Sequence, residues 1–257
     1  MKLWPANRRL VFVLVASALG STPFAWSAEV PTSVAVVSLI GDAVRVVGQE
    51  SVTGTRINRN PKDDLQITFD TIELISLRVA TQAVLANDAN VKAAPLKITD
   101  PVVYASQGGI TGDVAQLPAA ILEPLRAAKI THLLLITRFR DDARMKMARG
   151  SLGSGKVEGV GYYLDTETKM NLTSDGTMSS RGYLAPYVYV RASLIDLANL
   201  KVIRTSTSAV GTVIIASQTG TRGDPWDVLD TGQKIVKLQE MVSTQIKDVV
   251  TRTMSAN

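Results

Sequence analysis

Apolar residues gather in a few short runs along this chain, and the spacing within each run predicts an element. Ser33 to Ile40 is a nearly continuous β-branched and aliphatic stretch, the pattern of a strand buried on both faces. Gly41-Asp42 interrupts it before Ala43–Val47 resumes extended character, as either a tight hairpin or one long bulged strand. The polar stretch Gln49–Asp64 reads as a loop. From Phe69 to Asn87 the period changes to 3.6: Phe69, Ile72, Ile75, Val79, Ala83 and Ala86 form one helical face, widened by Leu74, Leu77 and Leu85. Asp70 sits in the first turn, where its charge suits the helix dipole. Val102-Val103-Tyr104, just after Pro101, is expected to be a short extended piece. A Gly108-Gly109 loop leads to a helix over Val114–Lys129, with Pro118 in its first turn and a kink at Pro124. Ile130–Thr137 reads as another buried central strand.

Beyond Arg138 the chain turns charged, then rich in glycine and serine. Lys169–Ser174 alternates, and Asp175-Gly176 is a favoured two-residue turn, so positions 143–182 are expected to form an inserted hairpin flap. Tyr183–Ile195 alternates cleanly, with Val188, Val190, Ala192 and Leu194 on one face and Tyr187, Tyr189 and Arg191 on the other. The segment Asp196–Asn199 turns it into a second long strand, Lys201–Ile215, expected to pair antiparallel with the first. A terminal helix follows, carrying Ile235, Leu238, Val242, Ile246 and Val249 in one stripe. This order predicts an α/β fold of the α+β type: a single domain with a mixed β-sheet flanked by helices.

The first residues change the picture. Lys2, Arg8 and Arg9 precede the apolar run Leu10–Ala16, which fades through small residues into Ala25-Trp26-Ser27-Ala28. This is the layout of a secretory signal peptide. Cleavage after Ser27 places Ala25 at the minus-three position, where cleavage after Ala28 would place bulky Trp26. We therefore expect a signal at 1–27, one domain over 28–257, and a periplasmic or secreted protein. No later apolar run reaches about 18 residues, so no transmembrane helix is expected in the mature chain. Removing Lys2, Arg8 and Arg9 leaves 25 basic against 23 acidic residues, which reduces the net charge from +5 to +2. With no basic run remaining, nucleic acid is not an expected partner. The chain has no cysteine and one histidine, His132, which excludes thiolate chemistry and His-cluster metal sites. No cofactor is expected.

The first strand at Val34–Leu39, the run from Ala128 through His132 to Leu135, and the two antiparallel strands before a terminal helix carry a resemblance. The pattern resembles an envelope group comprising the curli secretion-channel subunit, lipoprotein activators of penicillin-binding proteins, and the N-terminal domain of the Tol-system propeller protein. That group joins its antiparallel strands at an Asp-x-x-Thr-Gly turn. Here the turn reads Asp196-Leu197-Ala198-Asn199-Leu200, so Leu200 stands at the glycine position and Asn199 is expected to supply the left-handed conformation. There is no cysteine for lipidation, and the flap lacks the alternating apolar segments of a barrel. The resemblance implies an accessory, non-catalytic role in the cell envelope.

Candidate chemistry is sparse. Gly150-x-x-x-x-Gly155-Lys156 mimics a phosphate-binding loop, but Val157 stands where a magnesium-binding Ser or Thr belongs. His132 reads as a structural histidine. Asp63-Asp64 and Asp141-Asp142 are neighbours that point to opposite faces of a strand. Arg222-Gly223-Asp224 reads as a chance tripeptide, and the serines at 151, 154, 179 and 180 have no base beside them. No catalytic or metal residue is therefore assigned. Tyr162, Tyr163, Tyr183, Tyr187 and Tyr189 are five of the six tyrosines, crowded around the flap. They suit either recognition of a protein or glycan or packing of the sheet against a covering layer. The leading expectation is an exported binding or scaffold domain that touches its partner through the tyrosine-rich flap; assembly into a homo-oligomer is compatible with it. The alternatives are an envelope-polymer hydrolase using carboxylates such as Asp141 and Asp196, and a structural subunit of an outer-membrane assembly.

Overall fold

The computed structural model describes residues 32–49, 62–66, 71–107, 110, 112–171, 179–215 and 224–255. The signal at 1–27, positions 50–61 of the first loop, Asp70, Gly108-Gly109, the Asp175-Gly176 turn and Arg222-Gly223 lie outside the described residues. The chain runs β1 (Ser33–Ser38), β2 (Ala43–Gly48), β3 (Lys62–Gln66), α1 (Thr71–Asn87) and β4 (Lys92–Pro95). Then come α2 (Pro101–Ser106), α3 (Ala119–Ala127), β5 (His132–Arg138), β6 (Arg140–Asp142), β7 (Met145–Lys146) and β8 (Ser151–Leu152). The long strands β9 (Lys156–Asn171), β10 (Ser179–Asp196) and β11 (Val202–Thr212) precede a 3-10 turn at Pro225–Val228 and α4 (Thr231–Met254). The result is the expected mixed sheet with helices.

β10 is the axis of the sheet. Along one edge it pairs antiparallel with β11, from Tyr187 opposite Gly211 to Ile195 opposite Val202. Its other edge is shared: β5 takes Val190–Asp196, and β9 takes Ser179–Tyr189. β1 lies parallel to β5 and β2 parallel to β9, so β1 and β2 form one interrupted strand rather than a hairpin. Gly41 makes the step between them with φ +74°, a left-handed conformation that suits glycine.

β1 and β5 are buried on both faces, as their unbroken apolar runs predict. Val34, Val36, Leu134 and Ile136 pack against α1 and α4, whereas Ala35, Val37, Leu133 and Leu135 pack against the layer containing α3. α4 begins at a capping box, in which Asp230 accepts from the Gln233 backbone N–H at 2.8 Å and Gln233 Oε1 accepts from that of Asp230 at 2.9 Å. It buries Leu238, Val242, Ile246 and Val249, four members of the expected stripe.

Three local expectations are corrected. Val102-Val103-Tyr104 is helical, because Asp100 caps the Val102 N–H at 2.9 Å and Pro101 suits a first helical position. The strand in this region is β4, at Lys92–Pro95. The next helix starts at Ala119 rather than Val114, because Val114 is drawn into a bridge with Lys201 and Ala115 donates to the Leu200 carbonyl at 2.8 Å. In the turn after β10 it is Leu200, with φ +60°, that adopts the left-handed conformation expected of Asn199. Asn199 instead accepts from the Lys201 N–H with its side chain.

The stretch read as a flap divides in two. Its first part folds into the short strands β7 and β8, and the second supplies β9, which lies inside the sheet between β2 and β10.

Candidate functional site

All five candidate tyrosines are buried, with 1% exposure or less. The structure brings four of them together. Tyr163, Tyr183, Tyr187 and Tyr189 share one face of the β9–β10 ribbon, under a cover that includes Ala143, Met145 and Leu152. Tyr163 and Tyr183 stack at 6.1 Å between ring centroids, and Tyr187 meets Tyr189 edge-on at 5.8 Å. The Tyr189 hydroxyl accepts from the Arg144 N–H and donates to the Asp142 carbonyl, both at 3.0 Å. Tyr163 accepts from the Ser154 N–H at 2.9 Å. Tyr162 points to the opposite face, donates to the Lys234 carbonyl at 2.7 Å and meets Trp226 edge-on. Burial pushes the Tyr162 and Tyr183 hydroxyls well above their usual pKa, so both stay protonated. The rings hold the cover onto the sheet, which is the packing alternative, and in this conformation they present no outer contact surface.

Past the tyrosines the ribbon continues as an arm. Asn171 pairs with Ser179 and Lys169 with Arg181, and among the described residues this end of the hairpin has no other strand partner. Thr166, Glu167, Lys169 and Arg181 are exposed there. At its base, buried Asp165 accepts from the backbone N–H groups of Glu167 and Thr168 at 2.7 and 2.8 Å, and from the Thr168 hydroxyl at 2.6 Å. These bonds satisfy a carboxylate that would otherwise be costly to bury.

A second feature was not singled out from the sequence. At the carboxyl ends of β1 and β5, a cleft of about 480 Å³ opens between α1 and α2. Glu73, in the first turn of α1, is 1% exposed at its wall. Its Oε2 accepts from the Gly41 N–H at 2.7 Å and from the Ser38 hydroxyl at 3.1 Å, and its Oε1 lies 3.3 Å from the Tyr104 hydroxyl. That hydroxyl is also 3.0 Å from the Ile98 carbonyl, and one proton serves only one of these acceptors. A protonated Glu73 resolves the competition by donating to Tyr104, which then donates to Ile98. Burial, with the nearby Asp42 charge as a smaller contribution, pushes the Glu73 carboxyl up to about 7 despite the opposing hydrogen bonds. Asp42 caps α1, accepting from the Ile72 and Glu73 N–H groups at 2.9 and 3.0 Å. Arg138 Nε donates to the Ile40 carbonyl at 2.9 Å. The available signal was Gly41-Asp42, a break in the apolar run at the carboxyl end of a fully buried strand.

The remaining candidates stay apart. Asp196 sits opposite His132 at one end of β5 and Asp141 follows the other end, so the length of β5, roughly 20 Å, separates these carboxylates. They do not form the acid pair of a hydrolase. His132 Nδ1 is 2.9 Å from Thr131 Oγ1, a local structural contact. The phosphate-loop mimic leads into a strand at Lys156, whose ammonium lies 2.8 Å from Asp142 and holds that carboxyl below its usual pKa.

No family model matches the sequence, and no curated protein matches it. Solved structures with similarity include the PelC dodecamer from Paraburkholderia phytofirmans, at 13% identity over 88% of this chain and 89% of that one, with a TM-score of 0.32. Protein XCC0632 from Xanthomonas campestris is 9% identical over 87% and 83%, with a TM-score of 0.33. Lipoprotein GNA1162 from Neisseria meningitidis is 11% identical over 83% and 97%, with a TM-score of 0.28. Likeness this slight carries no argument about the chain.

Proposed function

We propose that this chain is an exported, non-catalytic binding or scaffold protein of the cell envelope, which contacts a protein or glycan partner through the arm of the β9–β10 hairpin. One observation carries the reading: the distal ribbon pairs only with itself among the described residues, while its base is anchored in a buried tyrosine layer. An isolated two-stranded ribbon is marginal in water. The tyrosine layer and the Asp165 bonds stiffen this one from below, lowering the ordering cost of a contact. The basic flank, apolar run and small-residue exit within residues 1–28 support export.

A photoreactive residue at Lys169 or Arg181, both exposed, tests the arm in living cells, with exposed Lys247 on α4 as control. Capture of one partner from the arm positions and not from Lys247 is the expected outcome. Capture from neither arm position, or equally from all three, overturns the arm as contact surface. N-terminal sequencing of the native protein is expected to begin at Ala28, and Met1 retained on cytosolic protein overturns export.

A further inference from the structure

We propose that a polar strip crossing one face of β5, β10 and β11 binds a small oxyanion-bearing molecule, a carboxylate or a phosphate, on Arg191. The strip is what two apolar covers leave between them. Along β10 the side chains at 187, 189, 191, 193 and 195 share one face. Tyr187 and Tyr189 lie under the cover that includes Met145, and Ile195 joins the cluster beneath α3. Between them stand Arg191 and Ser193. The register carries the gap across the sheet: Arg191 is opposite Thr137 of β5 and Thr207 of β11, and Ser193 is opposite Thr205. Directly opposed residues on neighbouring strands point to the same face, so these side chains adjoin.

The polar groups at the centre of the strip are unmet. The hydroxyl of Thr137, a residue 2% exposed, and the buried Nε of Arg191 have no hydrogen-bond partner. Among the described residues no carboxylate pairs with the Arg191 guanidinium, which lies over the Phe139 ring at 5.1 Å from its centroid. That contact steadies the cation but supplies no acceptor oxygen. On the neighbouring β6, the Asp142 carboxylate is held by Lys156 and Arg144, and Asp141 accepts from the Asp142 N–H.

A buried donor and a half-buried cation left in this way are costly, and they specify what relieves them. An oxyanion accepts from the Thr137 hydroxyl and the Arg191 fork together and brings the missing counter-charge, whereas water brings only the acceptor. Ser193 Oγ lies 3.1 Å from Thr205 Oγ1; that bond uses one of the two hydroxyl protons and leaves the other for a ligand. The strip is closed at Thr137 and opens towards β11, where Thr207 is half-buried and Thr205 exposed. This site is separate from the arm and does not depend on it.

The test is an NMR titration of the purified protein with inorganic phosphate and, in parallel, with acetate, both at constant ionic strength. At least one anion is expected to give saturable shifts of the Arg191 Nε–H resonance and of the Thr137, Ser193 and Thr207 amides, but not of the Lys247 amide on α4. The tighter of the two distinguishes a phosphate from a carboxylate ligand. Arg191→Met is expected to weaken binding about tenfold or more, the worth of a charge-assisted hydrogen bond. Thr137→Val is expected to weaken it about fivefold without lowering the urea midpoint, because it deletes a hydroxyl that has no partner within the protein. Absence of saturable shifts with both anions, or affinity undiminished in Arg191→Met, overturns the site. Affinity undiminished in Thr137→Val overturns the part assigned to that hydroxyl.

Discussion

Lys129 and Leu200 are the non-glycine residues with positive φ among those described, at +54° and +60°, and they hold it for different reasons. Lys129 follows the end of α3: its N–H bonds the Arg126 carbonyl and that of Ile130 bonds Leu125, both at 3.0 Å, the paired bonds of a Schellman ending. Its side chain is exposed, so Lys129→Gly relieves left-handed strain without losing a packed contact. The larger freedom of glycine in the unfolded chain offsets part of that gain, leaving an expected stabilisation of about 0.5–1 kcal/mol. Leu200 packs against the cluster beneath α3, and there the corresponding Leu200→Gly is expected to destabilise, since lost burial exceeds the strain relieved. Urea midpoints of the two variants, moving in opposite directions, check both. The pair also shows what a sequence conceals at this scale. Asn199 has the side chain that favours left-handed turns, whereas Leu200 is forced by a core formed from residues far along the chain.

The elements that were legible are those whose period is undisturbed. β10 alternates over its buried length, and α4 carries one stripe, so both were expected in place. β9 escaped because Gly159 and Gly161 break its alternation, and adjacent Tyr162 and Tyr163 are buried on opposite faces. Gly161 has a packing reason: a Cβ there would collide with the Arg45 carbonyl oxygen of β2 and lie 2.7 Å from the Tyr187 hydroxyl. Gly161→Ala therefore pushes β2 away from β9 and disturbs the tyrosine layer that anchors the arm. A loss of about 2–3 kcal/mol is expected, in the range of overpacked core substitutions, and a near-wild-type denaturation midpoint would remove the close approach from the account. α2 was misread for a different reason. Its β-branched Val102-Val103 suggested a strand, while the stronger signal was Asp100-Pro101, a cap followed by a residue suited to the first helical turn.

At the scale of the whole molecule, the cleft joins layers that lie on opposite faces of the sheet. Glu73 belongs to α1 on one face, its Oε2 holds the end of β1, and its Oε1 reaches Tyr104 of α2. Composition and charge revealed nothing of this, since an acid in a first helical turn ordinarily reads as a solvated partner of the helix dipole. Its carboxyl is pushed from 4.5 up to about 7, mainly by burial, so the folded state binds a proton that the unfolded state has released. In the window between those values the folded protein carries more protons, and stability falls as pH rises, by up to about 1.4 kcal/mol per pH unit. Its stabilising effect is complete below the unfolded value and is lost by the time pH has passed through the folded one, a total on the order of 3 kcal/mol. Glu73→Gln keeps an acceptor for Gly41 and gains an N–H donor for Tyr104, but cannot ionise. Other carboxylates titrate equally in both proteins, so the difference between their urea-derived stabilities isolates this group. Wild type minus variant is expected to decline from about pH 5 to about pH 7.5 and then level off, with the variant the more stable above neutrality. A difference that stays flat across that range would mean that Glu73 is ionised throughout, and that its bonds to β1 and α2 join the layers as a buried charge instead of a shared proton.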